Sequence, residues 1–253
     1  MTQSDPIVLV SREGGVATVT LNRPERRNGV TAQLCIALHR ALAEIAQSDA
    51  GVVILRGAGS DFCVGADIGG PGGEALDPRD LRPAYHASTL LHTMPQVTIA
   101  AIDGGCAGAG MGWAMACDLR YASTRARFNT AFLAVGVSGD MGLAWSLTRL
   151  VGGARARELL LFPGKLQADR AEALGLVGSL FAPERLHAEV ARLARGLAAR
   201  DALALRLMKA NFVSAEVLAL GDYIEVETER HIEASSRPGM AERLAAGLRE
   251  TKG

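Results

Sequence analysis

A mixed α/β architecture, with a mostly parallel sheet, helices packed on it and a smaller helical part toward the C-terminus, follows from three observations on the sequence. Short apolar runs bounded by turn residues alternate with segments of helical period through the first 150 or so residues. From about Gly152 the texture changes to helix after helix. Hydrophobic residues make up 49% of the 253-residue chain and aromatics only 4%, so a sizeable core is available and is built from Ala, Val, Leu and Ile.

Taken in order, "IVLV" and "VATVTL" flank "SREGG", whose glycines mark a turn, and the chain opens with a hairpin. Thr31 then stands as the N-cap of a helix with Leu34, Leu38, Leu42 and Ile45 on one face. "GVVILR" reads as a short buried strand and runs into the long glycine-rich loop "GAGSDFCVGADIGGPGGEALDP", where function or mobility is expected. The Gly70 to Pro83 part of it is expected to move in the absence of ligand. A helix around Leu81 to His92 leads to "VTIAAIDGG" (Val97 to Gly105), a buried strand ending in a turn. "GAGMGWAMACD" follows, with glycines at 108, 110 and 112 entering an apolar, helix-like segment that starts near Gly110, and "DLRYAS" is another strand. In the C-terminal part, "PERLHAEVARLARGLAA" carries Leu186, Val190, Leu193 and Leu197 on one stripe, and "ALGLVGSLFAP" is a short strand or turn. Lys209 and the acidic stretch "DYIEVETE" read as a solvated helix face.

Several function classes drop out. With 27 basic and 27 acidic residues the formal charge is zero, which gives no electrostatic case for nucleic acid or an anionic membrane. No run approaches the roughly 20 apolar residues of a membrane span, and "MTQSDPIVLV" is not a signal peptide. Cys35, Cys63, Cys106 and Cys117 show no CxxC spacing and read as reduced thiols, so the expected location is the cytoplasm. Gly108, Gly110 and Gly112 spell GxGxG, not the GxGxxG of a dinucleotide site. "GVSGD" lacks the final glycine of a nucleophile elbow, and there is no GxxxxGK[ST]. His86 and His92, six apart, have the wrong spacing for two metal ligands on one helix face, and the five histidines read as surface or packing residues. No metal and no separate cofactor is expected.

Two glycine-rich backbone turns survive: "CVGADIGG" after one strand and "CAGAGMG" after another. Each is able to aim an N–H into a shared crevice. Two such donors about 3 Å from one oxygen form an oxyanion hole, able to stabilise the enolate of a thioester, and a helix N-terminus adds its dipole. Small side chains are needed because the ligand must approach the main chain.

With "NRPERRNGVT", "GADI", "IAAIDGGCAGAGMGWAMACDLRYAS", "ARF" and "LTRLVGGARARELLL", the chain resembles the enoyl-CoA hydratase/isomerase (crotonase) superfamily over essentially its whole length, most strongly from 95 to 180. The resemblance implies the ClpP/crotonase fold, a spiral of repeated ββα units with a C-terminal helical region, divided here as 1–195 for the acyl-CoA-binding core and 196–253 for a trimerisation region. It implies a homotrimer, or a hexamer made of two trimers, binding an acyl-CoA thioester in which coenzyme A is part of the substrate. By position, the oxyanion donors are the N–H groups of Ala66 and Ala109. The resemblance implies that Ala66, Asp67, Ile68 and Gly69 line the adenine and pantetheine, and that Gly65, Gly108, Gly112 and Phe132 also belong to the substrate and CoA site. Arg26 and Arg27 lie near the CoA phosphates.

The departures from the family pattern are informative. Its hydratases carry one glutamate just after the glycine cluster and another about twenty residues on; these positions are Gly112 and Phe132, and neither residue can transfer a proton or orient water. Asp140, in "AVGVSGDMG", stands where several family isomerases carry a catalytic carboxylate and where aryl-CoA dehalogenases carry a nucleophilic aspartate. Burial among Val135, Val137, Met141 and Leu143 is expected to raise its pKa and make it a proton shuttle; the plainer alternative has Asp140 capping a helix that begins near Met141. The dehalogenase route also needs a histidine and a tryptophan, and Tyr85 and Phe132 occupy those positions, with His86 one residue away. Val97 replaces a usual proline, and "SSRPGMAERL" keeps only the glycine of a usual acidic-glycine pair. The expected activity is double-bond isomerisation with Asp140 as acid/base. A hydratase with atypical water activation and a non-catalytic acyl-CoA binder remain as alternatives.

Overall fold

A computed structural model describes residues 5–67, 82–240 and 242–243. Among them, β1 (Val8–Glu13) and β2 (Val16–Leu21) form the opening hairpin, with Gly14 and Gly15 both at positive φ in the turn. β2 continues into a parallel run with β3 (Val52–Gly57), β4 (Val97–Ile102), β6 (Leu119–Ser123) and β9 (Ser179–Phe181), giving the order β1-β2-β3-β4-β6-β9. A second, smaller sheet holds β5 (Gly105–Ala107), β7 (Arg127–Asn129) and β8 (Leu166–Gln167), and Cys63 bridges onto it through Cys106.

The two sheets grow in step. Two turns of the chain, starting with β4 and β5 and again with β6 and β7, each add one strand to the first sheet, one short strand to the second, and then a helix, while the turn before them reaches the second sheet only through the Cys63 bridge. α1 (Ala32–Ala46) follows the hairpin, α2 (Arg82–Tyr85) and α3 (Ala87–Thr93) follow the Cys63 bridge, α4 (Gly108–Ala116) follows β5, and α5 (Leu143–Leu161) follows β7. This is the ββα spiral of the crotonase fold.

The strands of the main sheet are apolar on both faces because both are covered. Val53, Leu55, Ala100 and Ile102 point to the main core with α1 and α4, while Val52, Ile54, Ile99 and Ala101 meet Leu186, Val190 and Ala194 of α7 (Pro183–Ala198). Thr31 does cap α1, its hydroxyl accepting from Leu34 N–H at 3.2 Å, and Leu34, Leu38, Leu42 and Ile45 are fully buried. α4 is buried on every side, as an all-round apolar helix must be. The small-sheet strands β5, β7 and β8, two or three residues each, were not expected; they are too short to show a period.

α8 (Ala202–Ala215) and α9 (Leu220–Ser235) make the C-terminal hairpin, with α6 (Ala168–Ala173) earlier in the chain. The expectation that Lys209 lies on a solvated face is wrong. The residue is 3% exposed. Its Nζ sits 2.8 Å from the Asp118 carboxylate and donates to the carbonyls of Gln96 (2.7 Å) and Leu91 (3.1 Å), pinning α8 to the end of α3 and the start of β4. A buried ammonium survives because every proton has an acceptor. The stretch 222–229 on α9 is largely exposed, as read. Among the described residues no helix is long and apolar enough to cross a membrane, and all four cysteines are free and buried.

Candidate active site

The loop from Phe62 to Asp67 is stitched on both sides. Toward the small sheet, Phe62 N–H donates to Asp103 O (2.7 Å), Cys63 N–H to Gly105 O (3.0 Å), and Ala107 N–H to Cys63 O (2.9 Å). On the other side, Val30 N–H donates to Gly65 O (2.8 Å) and Asp67 N–H to Val30 O (3.1 Å). This bridge uses the polar groups that flank Ala66, so the N–H of Ala66 points the opposite way and makes no hydrogen bond among the described residues. Gly65, at φ +87°, makes the turn.

Ala109 is the second residue of α4, whose first three N–H groups have no intrahelical acceptor. The helix starts at Gly108, two residues earlier than the sequence suggests, with Gly108 at φ +49°. The two glycine turns abut: a Cβ on Gly108 would lie 3.6 Å from Gly65 Cα, and one on Gly65 would lie 3.2 Å from Ala107 O. Two unpartnered amides thus flank one close backbone approach, the arrangement an oxyanion needs.

Two contacts bring the Asp140 loop to this place. The Phe132 ring lies 3.8 Å from where a Cβ would stand on Gly108 and equally close to that of Gly139, so one ring separates the oxyanion turn from the Asp140 loop. Met141, held at φ +48°, packs on Gly112 of α4, where a Cβ would be 2.6 Å from Met141 Cβ. Cys63 packs under Gly110 of α4, and burial, with the Asp140 charge as a further contribution, pushes the Cys35 and Cys63 thiols up to about 12.

Asp140 Oδ1 is buried without a hydrogen-bond partner among the described residues, and desolvation raises the carboxyl above its ordinary range. The capping alternative fails, because α5 begins at Leu143 with Gly142 as N-cap and no side-chain cap bond. The expected burial is half right: Met141 (4%) and Leu143 (1%) are buried, but Val135 (57%) at the end of the 3₁₀ turn and Val137 (50%) just after it face outward. Asp140 also borders a cavity of about 670 Å³ with Phe132, Leu143, Trp145, Arg157 and Leu160 among its walls. Two further cavities of about 510 Å³ each, between α3, α5 and α8, contain neither oxyanion turn nor Asp140.

The profile of the enoyl-CoA hydratase/isomerase family matches residues 11–245. The chain belongs to that family. It is 32% identical over 250 residues to 4-chlorobenzoyl coenzyme A dehalogenase-2 of Arthrobacter sp, covering 96% of this chain and 90% of the relative. To the 1,2-epoxyphenylacetyl-CoA isomerase of Escherichia coli (strain K12) it is 33% identical over 232 residues, 88% of this chain and 87% of the relative. The crystal structure of an enoyl-CoA hydratase from Bacillus anthracis superposes with a TM-score of 0.88 at 26% identity, covering 97% of each chain.

In this family member the remaining expected site residues fall as follows. Gly65 and Gly108 abut, which brings the Ala66 and Ala109 turns together, and Phe132 and Gly112 link that place to the loop that carries Asp140. Ile68, Gly69 and the Gly70–Pro83 segment as far as residue 81 lie outside the described residues. Arg26 and Arg27 are already paired: Arg26 grips Asp67, and Arg27 makes two bonds to Asp61 at 2.9 and 3.0 Å. The Asp67 carboxylate therefore turns to Arg23 and Arg26, which hold it far below the usual carboxylate range. Tyr85 is 42% exposed on α2, and His86 bonds Thr89. Sequence reasoning missed Arg23, and it named Met141 only as a neighbour of Asp140, without its packing on Gly112. Arg23 was visible in "NRPERR", but Met141 becomes legible only when its packing on Gly112 is seen.

Proposed function

We propose that this family member, which acts on CoA thioesters, moves a carbon–carbon double bond along the acyl chain with Asp140 as its single acid/base. The observation that carries this reading is the Asp140 Oδ1, buried and without a partner among the described residues, on a loop that shares the Phe132 ring with the Gly108 turn, where we assign the Ala66 and Ala109 N–H groups as the oxyanion donors. The thioester carbonyl accepts from both amides. The Asp140 carboxylate takes a proton from the α-carbon of a 3-enoyl thioester, and the C–H electron pair delocalises into a dienolate whose charge rests on the carbonyl oxygen. The same carboxyl returns the proton to the γ-carbon, and the double bond ends between the α- and β-carbons. No water is consumed. A carboxyl raised by burial is closer in basicity to the carbon acid it serves, and the amide pair supplies the electrostatic stabilisation of the intermediate.

A two-glutamate hydration is disfavoured by space as well as by residue type. The Gly112 position has no room for a side chain while Met141 lies on it, and Phe132 presents only hydrocarbon to the turn. The likeness to the Arthrobacter dehalogenase supports a second reading, with Asp140 as nucleophile toward an aryl thioester. Tyr85 and Phe132, at the places of the histidine and tryptophan that route needs, weigh against it.

We further propose a homotrimer or a dimer of trimers in the cytoplasm, with 196–253 as the trimerisation region. Met208 and Phe212 on α8, Val217 in the connection, and Leu220 and Ile224 on α9 are exposed apolar side chains that a partner would cover. The activity is tested by giving wild type and Asp140→Asn a cis-3-enoyl-CoA, a trans-2-enoyl-CoA and 4-chlorobenzoyl-CoA. Double-bond migration is expected in the wild type alone, falling about 10²–10⁴-fold in the variant, with affinity for the CoA ester within a few-fold. Equal turnover in both proteins removes Asp140 from the mechanism, chloride release supports the dehalogenase, and tight binding without turnover in either marks a binder.

A further inference from the structure

We infer that Arg23, Arg26 and Asp67 form a clamp whose task is to aim the Ala66 amide, making Asp67 a positioning residue for the oxyanion hole rather than a contact for coenzyme A. The inference rests on the oxyanion reading above.

Asp67 is the next residue after the donor. Its carboxylate is 7% exposed and is held from two directions: Arg23 Nη2 donates to Oδ2 at 2.8 Å, and Arg26 straddles it, with Nε on Oδ2 at 3.2 Å and Nη2 on Oδ1. A forked guanidinium on a carboxylate fixes orientation as well as distance. Arg23 is itself fixed, since Nη1 donates to Gly29 O and its backbone N–H to Asn28 Oδ1 at 2.9 Å. Asn28 is fully buried and donates to the carbonyls of Ala58 and Asp61, at the root of the same loop.

The clamp therefore joins the turn at 23–30 to the loop at 58–67 on both sides of the donor. A Cβ on Gly29 would stand 3.1 Å from Asp67 Cβ, so the two segments lie flush. The peptide between Gly65 and Asp67 is left little freedom: Gly65 O is fixed by Val30 N–H, Asp67 N–H by Val30 O, and the Asp67 side chain by two guanidinium groups. Removing the carboxylate takes away the side-chain restraint on the residue after the donor and leaves the two backbone bonds to Val30 alone to hold that peptide. An amide that swings by about 1 Å loses most of its value to a developing oxyanion, because such stabilisation depends on donors preorganised at the final distance.

The test uses cinnamoyl-CoA, a conjugated thioester whose absorption moves to the red when its carbonyl is polarised. It is titrated into the full-length wild type, Asp67→Asn and Arg26→Lys. The wild type is expected to shift the bound absorption. Asp67→Asn is expected to abolish most of the shift and to lower kcat for double-bond migration about 10–100-fold, with KM and cinnamoyl-CoA affinity within three-fold. Arg26→Lys keeps the charge but loses the fork, so it is expected to lose part of the shift and part of kcat while melting near the wild-type temperature, which separates aiming from folding. A wild-type shift retained in full by both variants overturns the clamp and leaves the oxyanion hole intact. Absence of the shift in the wild type itself overturns the oxyanion hole and the clamp with it. A change confined to KM and affinity returns Arg26 to the CoA phosphates and also overturns the inference.

Discussion

The packing of Met141 on Gly112 gives a prediction with a magnitude that can be worked from the structure. An added Cβ at residue 112 would lie 2.6 Å from Met141 Cβ and 3.2 Å from Met141 O, against ordinary carbon contacts of about 3.5–4.0 Å. Because Met141 is 4% exposed and α4 is enclosed on all sides, the loop bearing Asp140 must yield by about 1 Å. Overpacking of this kind costs about 1–3 kcal/mol, while alanine in place of a mid-helix glycine returns about 1 kcal/mol. Gly112→Ala should therefore lose at most about 2 kcal/mol, a fall in Tm of at most about 8 °C for a chain of this size. Activity is the sharper readout, since moving a catalytic group by about 1 Å costs on the order of 10²-fold. Thermal melting and kcat for double-bond migration are measured together, with Gly112→Glu assayed for hydration of a trans-2-enoyl-CoA. A folded Gly112→Ala enzyme with wild-type turnover, or a Gly112→Glu enzyme that hydrates while still isomerising, would refute the account of the Asp140 loop.

Gly110→Ala places a Cβ 2.6 Å from the Cys63 carbonyl, a backbone atom, and should cost about 3 kcal/mol or more in urea unfolding while moving the Ala66 loop. Lys209→Met leaves the Asp118 carboxylate without its cation, held by the Thr98 N–H and hydroxyl, and should cost about 3 kcal/mol in the same assay; adding Asp118→Asn should recover part of it, and additive losses would argue that the pair is uncoupled. Because burial raises the folded-state pKa of Asp140, kcat/KM should climb with pH to a plateau whose midpoint lies above the ordinary carboxylate range and should lose that limb in Asp140→Asn. The sign for stability is the reverse of the usual aspartate. A raised carboxyl contributes stability below its unfolded pKa of about 3.9 and loses it as pH rises through the folded value. Thermal melts of Asp140→Asn should then match or exceed wild type at pH 7, and the difference should close toward pH 4.

Much of this arrangement is legible in the chain. The capped helix from Thr31, the doubly buried strands and the all-apolar α4 follow from patterns longer than two turns or four strand residues. The two glycine turns were visible from their residue types, whereas Asp140 stood out only through its position in the family pattern. What was hidden depends on contacts remote in sequence. Lys209 looks like any helical lysine until Asp118 and two carbonyls close around it. Val135 and Val137 suggested a buried pocket, yet Val135 ends a 3₁₀ turn bracketed by the left-handed Ala131 and Gly136, Val137 follows it, and both are exposed. The helix at 143–161 hides a break, because Gly152 sits at φ +76°, ψ 157° between two helical runs. Arg26 and Arg27 suggested a phosphate site, and only the folded chain shows each facing an aspartate.

The central claim is tested most directly by a crystal structure of Asp140→Asn with a 3-enoyl-CoA bound. The account predicts the thioester oxygen within about 3 Å of the N–H groups of both Ala66 and Ala109, and the residue-140 side chain against the α- and γ-carbons. A carbonyl directed away from either amide, or a residue 140 turned to solvent, would contradict it.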